Sequence, residues 1–306
     1  MAVKEWITST VEQTRSDGVT AGVYQFCKGI GYAINSRTPL RSPHNIYDSD
    51  WDVAIILDAA RPDYLEQLSY EYAFLPKDIS STWSVGSHSR GWMENTFWRE
   101  ETGETGYVSA NPHTDEYADE DEFYFIDEVW RDGWDDDLNT VPAEAITNRT
   151  IGAHRETDAQ RLLVHYMQPH FPSVSSPFGD GWGLPASHEL NGDGKTVWDL
   201  LEEGELSLEE VITAYIKNFR YVLDEVAILL ENVDAETVII TADHGQAFGE
   251  WGDYGHPGVA NPYLHRVPWV TISASDTKRR NGSEFSASSK NVDADVESRL
   301  EDLGYK

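Results

Sequence analysis

The segment VIITADHGQAFGEWGDYGHPG, Val238 to Gly258, most constrains what this chain can fold into. Its opening is an unbroken apolar run of β-type residues, the pattern of a strand buried on both faces in an α/β protein. The run stops abruptly at Asp243, His244 and Gly245, and His256 follows across a glycine-rich turn. A carboxylate and an imidazole at the exit of a buried strand are good ligands for a divalent cation, and glycine lets the backbone turn so that both face inward. The same residues also suit a capped turn, with Asp243 accepting backbone N–H groups and His244 simply packed.

A second segment, WDVAIILDAARPDYLEQL, Trp51 to Leu68, follows the same logic. Val53 to Leu57 predicts a buried strand, and Asp58 stands where it ends. Pro62 and Asp63, with Tyr64, Leu65 and Leu68, then begin a helix. Parallel strands deliver their C-terminal ends to one edge of an open sheet, so Asp58 and Asp243/His244 are expected to meet there. Between them lies SSTWSVGSHSRGW, Ser80 to Trp92, a loop dense in hydroxyls that can present a nucleophile, with His88 and Arg90 alongside. Leu162 to Met167 and Pro268 to Ile272 predict further strands. Val211, Ile212, Tyr215, Phe219, Val222, Val226 and Leu229 fall at helical spacing and predict a core-packing helix over Leu208 to Leu230.

The order Asp58, serine loop, Asp243-His244-Gly245, His256 resembles the alkaline phosphatase and sulfatase superfamily from residue 51 to about 271. That resemblance implies a single-domain α/β/α sandwich around a mostly parallel sheet, and a metal-dependent hydrolase of phosphate or sulfate esters. In the family, a Ser, Thr or formylglycine-forming Cys after the first strand attacks the ester and touches the metal. The pattern laid on this chain makes Ser84 the nucleophile and His88 the basic residue of the motif, with Ser81, Thr82, Ser87 and Ser89 as rivals. It implies a cation held by Asp58, Ser84, Asp243 and His244. Such a cation stabilises a serine alkoxide and draws charge from the ester oxygens. His170, in LLVHYMQPHFP, and His256 resemble the family's remaining histidines, placed to contact substrate oxygens, protonate a leaving group or bind a second metal. Arg61 suits either the substrate and the carboxylates or an ordinary salt bridge at a helix start. His165, inside the apolar run, reads as a satisfied core histidine.

The chain also departs from the family pattern. Ala59 follows Asp58 where sulfatases carry a second acid, and Gly86 and His88 occupy the positions that formylglycine formation requires as Pro or Ala and Arg. Cys27, the sole cysteine, lies upstream of the first strand. An unmodified serine favours phosphoester or phosphoryl-transfer chemistry. The two-zinc members place an Asp four residues before the mid-chain histidine, a position held here by Tyr166, which favours one cation. Mn²⁺, Zn²⁺ or Mg²⁺ suits the mixed O/N donors better than Ca²⁺. Two alternatives use the same residues: a phosphoglycerol-type transferase acting on a glycan or polymer, and a degenerate binding protein for an anionic sugar or polymer.

There are 54 acidic against 23 basic residues, a formal charge of −31. Concentrations at Asp115 to Glu122, Asp132 to Asp137 and Asp293 to Asp302 read as solvated surface. So large a charge suits a protein folded in strong salt, where the Debye length shrinks to about 3 Å at 1 M, and a halophilic, haloarchaeal source is the expectation. Without a basic stripe there is no footprint for nucleic acid, and the expected ligand is an anionic ester, glycan-linked in the transferase case. No apolar run is long enough for membrane insertion and no signal-peptide core is evident, so a cytoplasmic location is expected. One cysteine allows no intramolecular disulfide. The chain divides into an N-terminal helical arm over residues 1–50, with an amphipathic stretch from Ile7 to Tyr24, a catalytic core over 51–275, and a flexible polar extension over 276–306. Within the core, the irregular, acidic and aromatic stretch Thr102 to Thr150 reads as either part of the substrate cleft or a surface elaboration packed by its aromatics, and Phe171 to Lys195 as a long loop.

Overall fold

A computed structural model describes residues 42–174, 196–285 and 295–304. Val53–Leu57 forms strand β1, buried along its whole length. It pairs in parallel on both sides, with β5 (Arg161–Tyr166) and with β6 (Ala235–Thr241). β3 (Thr105–Ser109) joins β5 and β4 (Phe125–Glu128) joins β3, again in parallel. On the other side β9 (Arg266–Ala274) runs antiparallel to β6 and carries β2 (Ser80–Trp83) at the edge. The seven-stranded order is therefore β2-β9-β6-β1-β5-β3-β4, with a separate two-stranded ribbon of β7 (Ala247–Phe248) and β8 (Tyr254–Gly255).

Alternation along β1 explains the layering. Val53, Ile55 and Leu57 enter one apolar cluster, with residues of the helices α3 (Ala143–Glu156) and α4 (Leu208–Leu230). Ala54 and Ile56 enter the other, with Trp92 and Met93 of α2 (Ser89–Thr96). A strand covered on both faces needs apolar residues at every position, which is why β1 reads as a continuous run. α4 begins at a capping box, Ser207 with Glu210, and buries the stripe Val211, Ala214, Tyr215, Phe219, Val222 and Val226. The result is an α/β/α arrangement around a mostly parallel sheet. α1 (Pro62–Leu68) follows β1 directly, with Pro at its start.

Two segments differ from their sequence expectations. Thr102 to Thr150 is not a surface elaboration, because it supplies β3, β4 and α3, and Trp130 is fully buried. Its acids are partly internal: Arg149 holds the buried Asp127 at 2.8 Å and Arg131 holds the buried Glu128. The polar chain after Ser273 lies along the core as far as Phe285 rather than swinging loose. Arg280 bonds Glu225 at 2.9 Å and Glu144 at 2.6 Å, the Ser283 N–H donates to the Asn148 carbonyl, and Phe285 packs on Phe125. A short acidic helix, Val296–Asp302, lies within the stretch read as a flexible polar extension. The Ile7 to Tyr24 helix and most of the Phe171 to Lys195 loop lie outside the described residues. Among the described residues, no helix is long and apolar enough to cross a membrane.

Candidate active site

The C-terminal ends of β1, β3, β5 and β6 share one edge of the sheet, and the chemistry collects there. Asp58 leaves β1 and is followed by Ala59 in the left-handed region (φ 60), a turn that aims the Ala59 N–H at Asp243 Oδ1 (3.2 Å). Asp243 and His244 leave β6. The ligand atoms of Asp58, Asp243 and His244 lie within 4.8 Å of one another, and all three residues are fully buried. Gly245 is required by close approach rather than by an unusual φ, since a Cβ there would meet the Tyr263 carbonyl at 2.1 Å.

His244 Nδ1 lies 2.7 Å from the Gly245 carbonyl and donates to it, which turns Nε2 towards the acids, 3.4 Å from Asp58 Oδ1 and 3.5 Å from Asp243 Oδ2. Burial works to lower the pKa of this imidazole, but Asp243 and Asp58 outweigh it and push it up to about 9. Burial also opposes charge on Asp58, yet His165 and His244 beside it hold its carboxyl well below the usual range. Among the described residues, Asp243 Oδ2 is buried with no hydrogen-bond partner. Two carboxylates and an imidazole, converging with such an oxygen left over, fit a divalent cation of mixed O/N preference.

The hydroxyl that meets this cluster belongs to Ser89. Its Oγ donates to Asp58 Oδ2 at 3.1 Å and lies 3.3 Å from His244 Nε2, at the first residue of α2. Ser84 Oγ instead donates to the Asp243 backbone carbonyl and accepts from the Gly86 N–H (3.1 Å), while the Ser84 N–H donates to the His265 carbonyl (2.7 Å). Ser84 thus pins the loop to the exit of β6. Ser81 and Thr82 lie within β2, where Ser81 Oγ accepts from Arg266, and Ser87 Oγ lies 3.4 Å from His88 Nδ1. His88 is half-buried, and burial together with His244 and Arg90 lowers its pKa.

His170 and His256 stand together, Nε2 to Nε2 at 2.8 Å, with the His256 ring centroid 4.9 Å from that of His244. The His170 Nδ1–H donates to the Phe171 carbonyl, so its Nε2 accepts from His256. Burial depresses both pKa values; the neighbouring imidazoles depress that of His256 further, and Asp58 partly restores that of His170. Arg61 is buried and bonds Asp63, Glu250 and the Gln246 carbonyl, so its charge is spent on the loops framing the site.

Three further residues face the cluster: His165, which the sequence reads as a core histidine, and Asn111 and His113, which it does not single out. His165 is fully buried, with Nδ1 2.9 Å from the Tyr107 hydroxyl and Nε2 3.5 Å from Asp58 Oδ2 and 3.8 Å from Asp243 Oδ2. Tyr107 in turn accepts from Ser109 (3.3 Å). Asn111 Nδ2 donates to Asp58 Oδ2 at 2.9 Å, and the His113 N–H donates to Asn111 Oδ1. Burial lowers the pKa of His113 to about 4, against the pull of Asp58. The signal for Asn111 and His113 was their place just beyond β3, which opens at the same edge as β1.

A mostly parallel sheet in an α/β/α arrangement, with a carboxylate and imidazole cluster at its C-terminal edge and a serine at the head of the helix beside it, defines an α/β protein of alkaline phosphatase type. The sequence profile of the sulfatase family matches residues 84–296, and the chain belongs to that family. No curated protein matches it by sequence. Among solved structures it is similar to the soluble domain of lipooligosaccharide phosphoethanolamine transferase A from Neisseria meningitidis, with 15% identity, a TM-score of 0.51, and 74% of this chain and 77% of that one covered. It is also similar to the integral membrane form of that transferase, with 13% identity, a TM-score of 0.52, and 92% and 61% covered. The chain therefore spans about three fifths of the longer protein.

Proposed function

We propose that this chain cleaves or transfers a phosphate or sulfate ester, with Ser89 as the nucleophile and Asp58, Asp243 and His244 as the ligands of one divalent cation. The observation that carries this reading is the Ser89 hydroxyl, 3.1 Å from Asp58 Oδ2 and 3.3 Å from His244 Nε2. When bound there, a cation of the Mn²⁺, Zn²⁺ or Mg²⁺ type supplies charge that stabilises the alkoxide and the ester oxygens. Ser89 attacks the phosphorus or sulfur, forming a covalent ester as the leaving oxygen departs. The proton that Ser89 gives up leaves with that oxygen, and His256, held by His170, lies beside the cluster to face it. Asn111 and His165 keep the carboxylates in place, His88 and His113 face the incoming anion, and Arg61 braces the surrounding loops.

The acceptor that releases the group from Ser89 decides between hydrolase and transferase. The resemblance in fold to a phosphoethanolamine transferase supports a transferase as the second reading, with a glycan-linked acceptor. The test is metal content by elemental analysis together with turnover of aryl phosphates and aryl sulfates in molar salt. Bound transition metal, with activity lost in Ser89→Ala and retained in Ser84→Ala, is the expected result. Full activity in Ser89→Ala overturns the proposal.

A further inference from the structure

Asn218 interrupts the apolar stripe of α4. Val211, Ala214, Tyr215 and Val222 fall around it at helical spacing, and it is fully buried where that pattern calls for an aliphatic side chain. Asparagine is a weak helix former, and burying an amide costs free energy unless its hydrogen bonds are made. Its place in the helix therefore depends on its partners.

Those partners belong to one loop. Asn218 Nδ2 donates to the carbonyls of Pro169 (3.2 Å), His170 (2.8 Å) and Pro172 (3.3 Å), and Oδ1 accepts from the Val174 N–H (3.1 Å). This segment leaves β5 at the reactive edge of the sheet. Pro169 and Pro172 carry no N–H, so the segment is poorly equipped to tie itself down by a regular ladder. The intervening Phe171 carbonyl accepts from His170 Nδ1, and the His170 N–H donates to the Asp58 carbonyl at 3.1 Å. Helix side chain and imidazole thus grip the same run of peptide groups, and the ring takes its direction from them. His170 Nε2 in turn accepts from His256 at 2.8 Å.

Tyr215, one turn earlier on the same face of α4, holds the neighbouring loop. Its hydroxyl donates to the Ala59 carbonyl (2.8 Å) and accepts from the Arg61 N–H (3.1 Å). Two polar groups at i and i+3 therefore meet the exits of β1 and β5 together. The first loop follows Asp58, and the second carries His170.

We infer that Asn218 is a positioning residue, which sets the His170–His256 pair against the cluster by holding the carbonyls on either side of His170. That this pair faces the leaving oxygen rests on the reading of Ser89 given above; the bonds of Asn218 and the pairing of the two rings do not. Displacing such a group by about 1 Å can cost about 10²-fold in rate. The loss should fall on oxygens that need a proton to leave more than on those that depart as stable anions.

Two measurements on the full chain in molar salt test this. The first compares kcat/KM for phenyl and 4-nitrophenyl esters, as phosphates and as sulfates. Asn218→Ala should lose about 100-fold or more on the phenyl ester and no more than about tenfold on the 4-nitrophenyl ester, with metal content unchanged. Asn218→Ser, whose hydroxyl still serves one carbonyl, is the milder variant and should show the same split to a smaller extent. Ala214→Gly, which loosens the same helix without touching the loop, should lower both substrates alike. The second measurement follows imidazole N–H protons by NMR of ¹⁵N-labelled protein without substrate. The His170 and His256 resonances, assigned through His170→Gln and His256→Gln, should shift or be lost to exchange in the Asn218 variants, while that of His244 stays. Because no turnover is needed, failure of the nucleophile assignment and failure of this inference are separately visible. Equal losses on the two esters, the same split in Ala214→Gly, or unmoved His170 and His256 resonances in a folded Asn218 variant overturns the inference.

Discussion

Ser84 and Ser89 share one loop and one functional group, and what separates them is where each oxygen is spent. Ser84 satisfies the Asp243 carbonyl, a backbone contact that steadies the loop, whereas Ser89 touches a carboxylate and an imidazole. Ser89→Ala should therefore reduce turnover by about 10³-fold or more with the melting temperature nearly unchanged. Ser84→Ala should cost about 1–2 kcal/mol of stability and leave turnover within a few-fold, checked by chemical denaturation and steady-state kinetics. His165 offers a second test. Its Nε2 lies near both acids while Tyr107 fixes its other nitrogen, so His165→Phe should weaken metal binding by about 10–100-fold in a chelator competition, and Tyr107→Phe should act in the same direction but less. Unchanged affinity in His165→Phe would refute this positioning role. Sequence brought Asp58, Asp243 and His244 to one place because each follows an unmistakable buried strand. Motif register, which counts positions along the chain, points to Ser84, while the start of α2 turns the Ser89 hydroxyl towards the cluster. Sequence patterning read His165 as core, and the residue is indeed buried, but alternation along β5 places it on the same side as Leu163 and close to the strand's reactive end.

At the scale of elements, β1, β5, β6 and α4 were legible because each carries a sustained apolar pattern. β3 and β4 were not: TGYVS and FIDE are short, and acids and glycine dilute the pattern. Missing β3 hid Asn111 and His113, which its end delivers to the site. The packing of the C-terminal stretch on α3 can be tested through Gly152. Glycine to alanine inside a helix ordinarily stabilises by about 1 kcal/mol, but here the new Cβ would meet the Ser283 carbonyl at 2.1 Å. Gly152→Ala should therefore lower the melting temperature; a rise would place residues 276–285 away from the core. The last turn of α3 also carries a pH signature. His154 accepts the Asp234 N–H at 2.9 Å, and burial lowers its pKa below the ordinary 6.5. The unfolded chain takes up the proton first as pH falls, so this contribution to stability is present above about pH 6.5 and lost below it. His154→Gln should flatten the decline of melting temperature between about pH 7 and pH 5, as followed by circular dichroism.

For the whole molecule, the dominant quantity is the charge of −31, carried by a fold whose core is ordinary. Self-repulsion of that size is relieved by screening, so the melting temperature should rise steeply between about 0.1 M and 3 M KCl. A flat response would remove the case for a halophilic protein.

The sheet order sets a timetable for synthesis. The hydrogen bond from Ala59 to Asp243 joins residues separated by 184 positions, and β1 cannot complete its pairing with β6 until that intervening chain has been made. At about 5–20 residues per second the ribosome takes on the order of ten seconds or more to deliver it. For that interval a wholly apolar strand waits with one edge uncovered, so chaperone dependence and the yield of recombinant protein should respond to translation speed across the middle of the message more than to any change at the reactive centre.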